Sequence, residues 1–180
     1  MCRKPTIGVL AILIGIPLWL QGFTLPVLAK TKISPGAEIQ ADDKTVHGIV
    51  ASFQKAEEFL YARNLDALMG LYSKDYNYNG LKKDDLKKIW ESLFAQHHRI
   101  ATSHLFTKIV VADGKHPTAE ITCTGTLWAT SGPTGKRMNI DSWFEEVHHM
   151  VYEDGAWRIS GHVGEPARTP QFGVAPHPLF

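Results

Sequence analysis

From Met138 to His162 the chain reads MNIDSWFEEVHHMVYEDGAWRISGH, and its Asp154-Gly155 pair constrains the fold more than any other feature. A tight two-residue β-turn needs positive φ at both central positions, which Asp-Gly supplies at low steric cost. The turn Glu153-Asp154-Gly155-Ala156 pairs Glu153 with Ala156 and sets Tyr152 opposite Trp157. Side chains alternate along a strand, so Phe144, Glu146, His148, Met150 and Tyr152 should share a face with Trp157 and Ile159. The other face carries Trp143, Glu145, Val147, His149 and Val151, with Arg158, Ser160 and His162. The Trp157/Ile159 face is expected to be the buried one. It contains a carboxylate and an imidazole two residues apart.

Upstream of this hairpin the period is also two. Leu105, Thr107, Ile109 and Val111 alternate with His104, Phe106, Lys108 and Val110 until Asp113-Gly114 breaks the strand. From Thr118 to Thr130 a row of threonines with Glu120 and Trp128 lies on one face. Ala119, Ile121, Cys123, Gly125 and Leu127 lie on the other, so Cys123 reads as a small core residue. Ahead of the strands the period is helical. Val46, Ile49, Val50, Phe53, Ala56, Leu60 and Tyr61 recur at steps of three and four, with Asp42 or Asp43 able to cap the start. A short second helix runs through Leu65, Leu68, Leu71 and Tyr72, and Tyr76-Asn77-Tyr78-Asn79-Gly80 is a turn segment. A third helix, Leu81 to His97, places Leu86, Ile89, Trp90, Leu93 and Phe94 on one side. Helices followed by strands predict an α+β domain over 43–163, three N-terminal helices packed on one face of a curved antiparallel meander.

The flanks read differently. Arg3 and Lys4, the apolar run Ile7 to Leu20, and Val27-Leu28-Ala29 make residues 1–29 a signal peptide cut after Ala29, with an uncleaved membrane anchor as the other reading. Cleavage predicts a periplasmic or secreted protein with no membrane attachment and only Cys123 remaining, which rules out an intramolecular disulfide. Residues 30–42, with Ser34-Pro35-Gly36, read as a linker, and the proline-rich 164–180 as a surface or disordered tail. With Lys+Arg 19 against Asp+Glu 18 there is no basic stripe, and no nucleic-acid partner is expected.

A long first helix, a short second helix ending in LYSKDYNYNG, and a third leading into a meander closed by YEDGAWRIS resemble the NTF2-like superfamily over roughly Thr45 to His162. Its SnoaL-like and ketosteroid isomerase-like exported members are the nearest. The resemblance implies a cone with a deep, largely apolar pocket, used for catalysis in some members and for binding in others. Isomerase-like members use a carboxylate base with a tyrosine and a protonated carboxyl group. By region, the counterparts here are Glu146 and one of Tyr72, Tyr76 or Tyr78.

Glu146 and His148 are the candidate catalytic pair, roughly 7 Å apart along one strand face. In a water-poor cone, desolvation raises a Glu pKa and lowers a His pKa, while mutual attraction does the reverse. A carboxylate so tuned is a proton-abstracting base, with His or Tyr stabilising an oxyanion. The same two groups can equally satisfy each other in a structural core, or a bulge can turn this half of the strand outward. Candidate ligand-binding residues are Tyr72, Tyr76, Tyr78, Trp90, Phe94, Phe144 and Met150, facing a small, mostly apolar molecule. No cofactor is called for. Adjacent histidines on a strand point to opposite faces, and the spacing of His97, His98, His104, His148, His149 and His162 matches no zinc pattern, so no metal is expected. Trp128 and Trp143, on the expected outer face with the threonine row, offer either a homodimer interface or a tryptophan pair packed across strands. Three readings follow: a ligand-binding domain, a cofactor-independent lyase, isomerase or hydrolase using Glu146, and a membrane-anchored periplasmic assembly module.

Overall fold

A computed structural model describes residues 31–132 and 134–163, so the expected signal peptide and the expected tail both lie outside the described residues. The element order is β1 (Lys32–Gln40), α1 (Asp43–Ala62), α2 (Leu65–Met69), β2 (Asn77–Tyr78), β3 (Leu81–Lys82), α3 (Lys83–Gln96), β4 (Arg99–Ala112), β5 (Thr118–Thr130), β6 (Arg137–Glu153) and β7 (Ala156–Ile159). The expected helices and meander are present, in an α+β arrangement. The sheet has five strands in the order β1-β4-β5-β6-β7 and is mixed, because β1 runs parallel to β4.

Strand β1 corrects the expected linker. Its pairing with β4 breaks between Ile33 and Glu38, where Gly36 sits at φ +81°. Pro35 donates no backbone hydrogen bond and is tolerated on an edge strand at such an irregularity. The Ser-Pro-Gly signal therefore marks a bulge within a strand rather than a connection.

The hairpin forms in the expected register: Glu153 pairs with Ala156 and Tyr152 with Trp157, and Asp154 and Gly155 take φ of 50° and 78°. Helix α1 starts where Asp42 accepts from the Thr45 N–H at 3.0 Å, and it lays Val46, Ile49, Phe53, Ala56 and Leu60 into the core. It ends at Arg63, whose left-handed φ of 55° turns the chain, while the guanidinium donates to the carbonyls of Phe94, His97 and His98. This ties the C-terminal ends of α1 and α3 together and closes the helices over one sheet face. No described helix is long and apolar enough to cross a membrane.

Strand β6 departs from strict alternation. Trp143 pairs with Gly125 and Glu146 with Cys123, so Phe144 and Glu145 together face Thr124. Glu145 takes φ 52°, and its N–H donates to Thr124 Oγ1 at 3.1 Å. This β-bulge inserts one residue and reverses the facing of Trp143 and Phe144. Trp143, expected outside, is buried, whereas Phe144, expected in the pocket lining, is 77% exposed. Glu146, His148 and Met150 lie beyond the bulge and keep the expected facing.

Candidate inner-face site

The helix-facing side of the sheet is apolar except for a few side chains, and those few define the site. From the expected set, His148 and Met150 are buried and Glu146 is half-buried. Tyr72, Tyr76, Trp90 and Phe94 are buried beneath α3 and the segment that follows α2, and Tyr78 is half-buried. That segment is held to β7 by backbone bonds: Ser73 N–H to Ile159 O at 2.8 Å, Ile159 N–H to Leu71 O at 2.9 Å, and Asn77 N–H to Ser160 O at 3.1 Å. Trp90 Nε1–H donates to the Tyr72 hydroxyl at 3.0 Å, and the Tyr72 and Tyr76 rings meet edge to face at 5.5 Å.

Burial pushes the phenols of Tyr72 and Tyr76 well above their ordinary range. Tyr78 is also raised, first by burial and then by the negative charge of Glu146. Burial pushes the Cys123 thiol up to about 12, with Glu146 again adding to the shift and Trp143 Nε1–H, 3.3 Å from the sulfur, opposing it. Glu146 is thus within electrostatic reach of both Tyr78 and Cys123. A tyrosine with its proton held this firmly is a hydrogen-bond donor, not a base.

His148 belongs to a second group that the sequence reading does not assemble. Its ring lies 6.1 Å from that of His104, 6.1 Å from Trp143 and 5.7 Å from Phe53. His104 is buried and packs against Phe53 at 4.8 Å and Trp143 at 5.3 Å. Beside it, Thr31 Oγ1 donates to Glu57 Oε1 at 2.5 Å. Burial raises the Glu57 pKa, opposed by the Thr31 hydroxyl and Thr31 N–H. Glu57 could have been found by spacing, since it sits on the core stripe four residues after Phe53 and three before Leu60. Thr31 could not, because its segment reads as linker.

Two further features lie away from this face. The rings of His149 and His162 do share a side of the hairpin, but they stack at 4.4 Å and 17°. A cleft of about 490 Å³ runs between the first turns of α1 and the turns beyond β4 and β6, past Lys44, Ser52, Lys55, Asp113, Tyr152 and Trp157. It is lined by none of the expected site residues. Among the described residues, no group of three or more His, Cys, Asp or Glu is placed to hold a metal ion.

No protein-family model and no curated protein matches this chain. Solved structures do match. Aln2 from a Streptomyces species is 10% identical at a TM-score of 0.54, covering 68% of this chain and 90% of that one. A proposed aromatic ring hydroxylase from Novosphingobium aromaticivorans is 10% identical at 0.51, covering 68% and 88%. An NTF2-like family protein from Streptomyces avermitilis is 14% identical at 0.48, covering 68% and 95%. The chain shares its fold with Aln2 and with the Novosphingobium protein. Identities this low speak to the fold alone, and function has to be argued from the site.

Proposed function

We propose that the inner face of the sheet binds a small, mostly apolar molecule bearing one or two polar atoms, in a protein exported after cleavage at Ala29. The observation that carries this reading is the placement of Glu146, His104 and His148, with Thr102, on a face whose remaining buried side chains are mostly aromatic and aliphatic. A ligand site is an apolar concavity with few, fixed polar groups, and this face has that composition. The aromatic rings supply contact area, and the carboxylate, imidazoles and phenols fix orientation.

A second reading, turnover, is favoured by the negative charge of Glu146 acting, after burial, to raise the Tyr78 phenol. Glu146 would remove a proton from a carbon next to a carbonyl. The resulting oxyanion would accept from a tyrosine hydroxyl, with His148 assisting. The third reading, an assembly module anchored by its N-terminal segment, requires that segment to be retained.

Native mass spectrometry of protein purified from an exporting host reads the start residue and any bound mass together. A start at Lys30 with a retained small organic mass is the expected result; an intact N-terminus and no bound mass would overturn it. Glu146→Gln then separates binding from turnover. A binder keeps its affinity within a few-fold, whereas an enzyme loses turnover by about 10²-fold or more when its base is removed.

A further inference from the structure

The cleft that lies away from the inner face has walls fastened to one another. Helix α1 forms its floor: Lys44, Gly48, Ala51, Ser52 and Lys55 recur at steps of three and four, so small side chains lie between two lysines on one stripe. The Ser52 hydroxyl donates to the Trp157 carbonyl at 2.9 Å, which fixes this stripe to β7. Tyr152 N–H donates to the Pro117 carbonyl at 2.8 Å, which fixes the β6–β7 hairpin to the connection between β4 and β5. The space between them, about 490 Å³, is of the size that holds a small organic molecule.

Trp157, on the wall of this cleft, is only 6% exposed. A buried tryptophan ordinarily gives its N–H to an acceptor. Among the described residues the Trp157 Nε1–H has none, and the nitrogen is not sealed from solvent, so its hydrogen opens into the cleft that the indole lines. Gly48 is what keeps that edge clear. A Cβ there would fall 3.1 Å from Trp157 Cδ1 and 3.5 Å from Nε1.

The neighbouring charges say which acceptor fits. Lys44 and Lys55 are exposed and, among the described residues, form no ion pair. Of the two carboxylates in the lining, Asp42 is engaged by the Thr45 N–H at 3.0 Å and the Thr45 hydroxyl at 2.8 Å. Asp113, from the β4–β5 connection, is the other, so two cations face one uncommitted anion. The remaining wall is apolar: Val111, Pro117 and the Tyr152 ring, which meets the Trp157 ring edge to face at 5.4 Å.

We propose that this cleft is a second binding site, for a small planar organic carboxylate whose oxygen accepts from Trp157 Nε1–H. Lys44 and Lys55 balance its charge from the two ends of the floor, and its ring lies against Tyr152, Val111 and Pro117. The site does not rest on the inner-face reading, because none of the residues assigned there line it.

The test follows the Trp157 indole N–H in a ¹H–¹⁵N spectrum of the full chain, identified by its loss in Trp157→Phe or by its contact with the Gly48 α-protons. The probes are 2-naphthoate, its neutral counterpart 2-naphthamide, and inorganic sulfate. Naphthoate should move that resonance downfield and saturate, with the amide and sulfate weaker by about tenfold or more. Replacing both lysines, Lys44→Gln with Lys55→Gln, should weaken naphthoate about tenfold, the effect of one charge-assisted hydrogen bond. Ala51→Leu fills the floor and should abolish the shift. A naphthoate titration with no saturable shift overturns the proposal. Equal binding of the amide removes the role of charge, equal binding of sulfate removes the role of the ring, and either result sinks the assigned ligand class. A shift that survives Ala51→Leu places the probe elsewhere on the protein. If Ala51→Leu does not fold by circular dichroism, the lysine pair decides: affinity unchanged in that variant overturns the site.

Discussion

Trp143 lies directly opposite Gly125, and its indole occupies the space that a side chain there would need. A Cβ on Gly125 would fall 2.5 Å from Trp143 Cζ2 and would also collide with the backbone oxygen of Ser103. The glycine is what lets the indole cross β5 to reach Cys123 Sγ and the His104 ring. Gly125→Ala should therefore destabilise by about 3 kcal/mol, the upper part of the overpacking range, because one of the clashes is with backbone that cannot rotate away. Urea denaturation checks this, and a loss under about 1 kcal/mol would mean the indole does not sit there.

The bulge at Phe144–Glu145 predicts an inverted pair of mutational costs. Trp143→Ala should cost about 3–5 kcal/mol as a core deletion, whereas Phe144→Ala should stay within about 0.5 kcal/mol as a surface change. Unbroken alternation along β6 would give the opposite ranking. Phe144 projects from the outer face with Leu105 and Val147 also exposed, so Phe144→Asp doubles as a test of self-association. If a second copy covers that face, sedimentation should show the variant shifted toward monomer with its melting temperature for unfolding of the single chain unchanged.

How much of this is legible in the sequence varies by element, for physical reasons. The hairpin register is readable to the residue because Asp154-Gly155 permits essentially one tight turn, and the helices because their apolar stripes are regular. The bulge is not readable: Glu145 takes a left-handed φ with none of the Gly or Asn that normally advertises one. Strand β1 is hidden by Pro35 and Gly36, which signal a break whether the chain leaves the sheet or merely kinks at its edge. Counting in twos back from the turn places Glu146 and His148 on the correct face. Glu57 lies on the core stripe, but its charge argues against burial, and its partner Thr31 comes from the flank of the hidden strand.

The stacked histidines on the outer side of the hairpin predict a loss of stability in mild acid. Burial foremost, then the charge that His162 would bear, hold the His149 pKa below its ordinary value, while Glu120 at 3.9 Å pulls the other way. The unfolded chain therefore binds a proton at this position more readily than the folded one. The contribution is fully present above the unfolded value of about 6.5 and is lost as pH falls through the lower folded value. Urea midpoints should drop between about pH 7.5 and pH 5.5, and His162→Gln should reduce that drop by removing the neighbouring charge. Equal drops in the two proteins would mean the stack carries no such linkage.

Strand β1 gives the last prediction, because a linker and a sheet strand respond oppositely to removal. A chain beginning at Ala41 loses the β1–β4 pairing from Lys32 to Gln40, along with the ion pair of Glu38 with Lys108 at 3.1 Å. It also loses Thr31, which leaves the Glu57 carboxylate buried without its two donors, the Thr31 hydroxyl and N–H. An unsatisfied buried charge costs several kcal/mol, and β4, opened along its full edge, becomes a template for intermolecular pairing. The truncated chain should be at least about 3 kcal/mol less stable, or aggregate, and Glu57→Gln should recover part of the loss because a neutral amide is less costly to leave unpaired. A truncated chain with an unchanged urea midpoint would return residues 32–40 to the status of a linker.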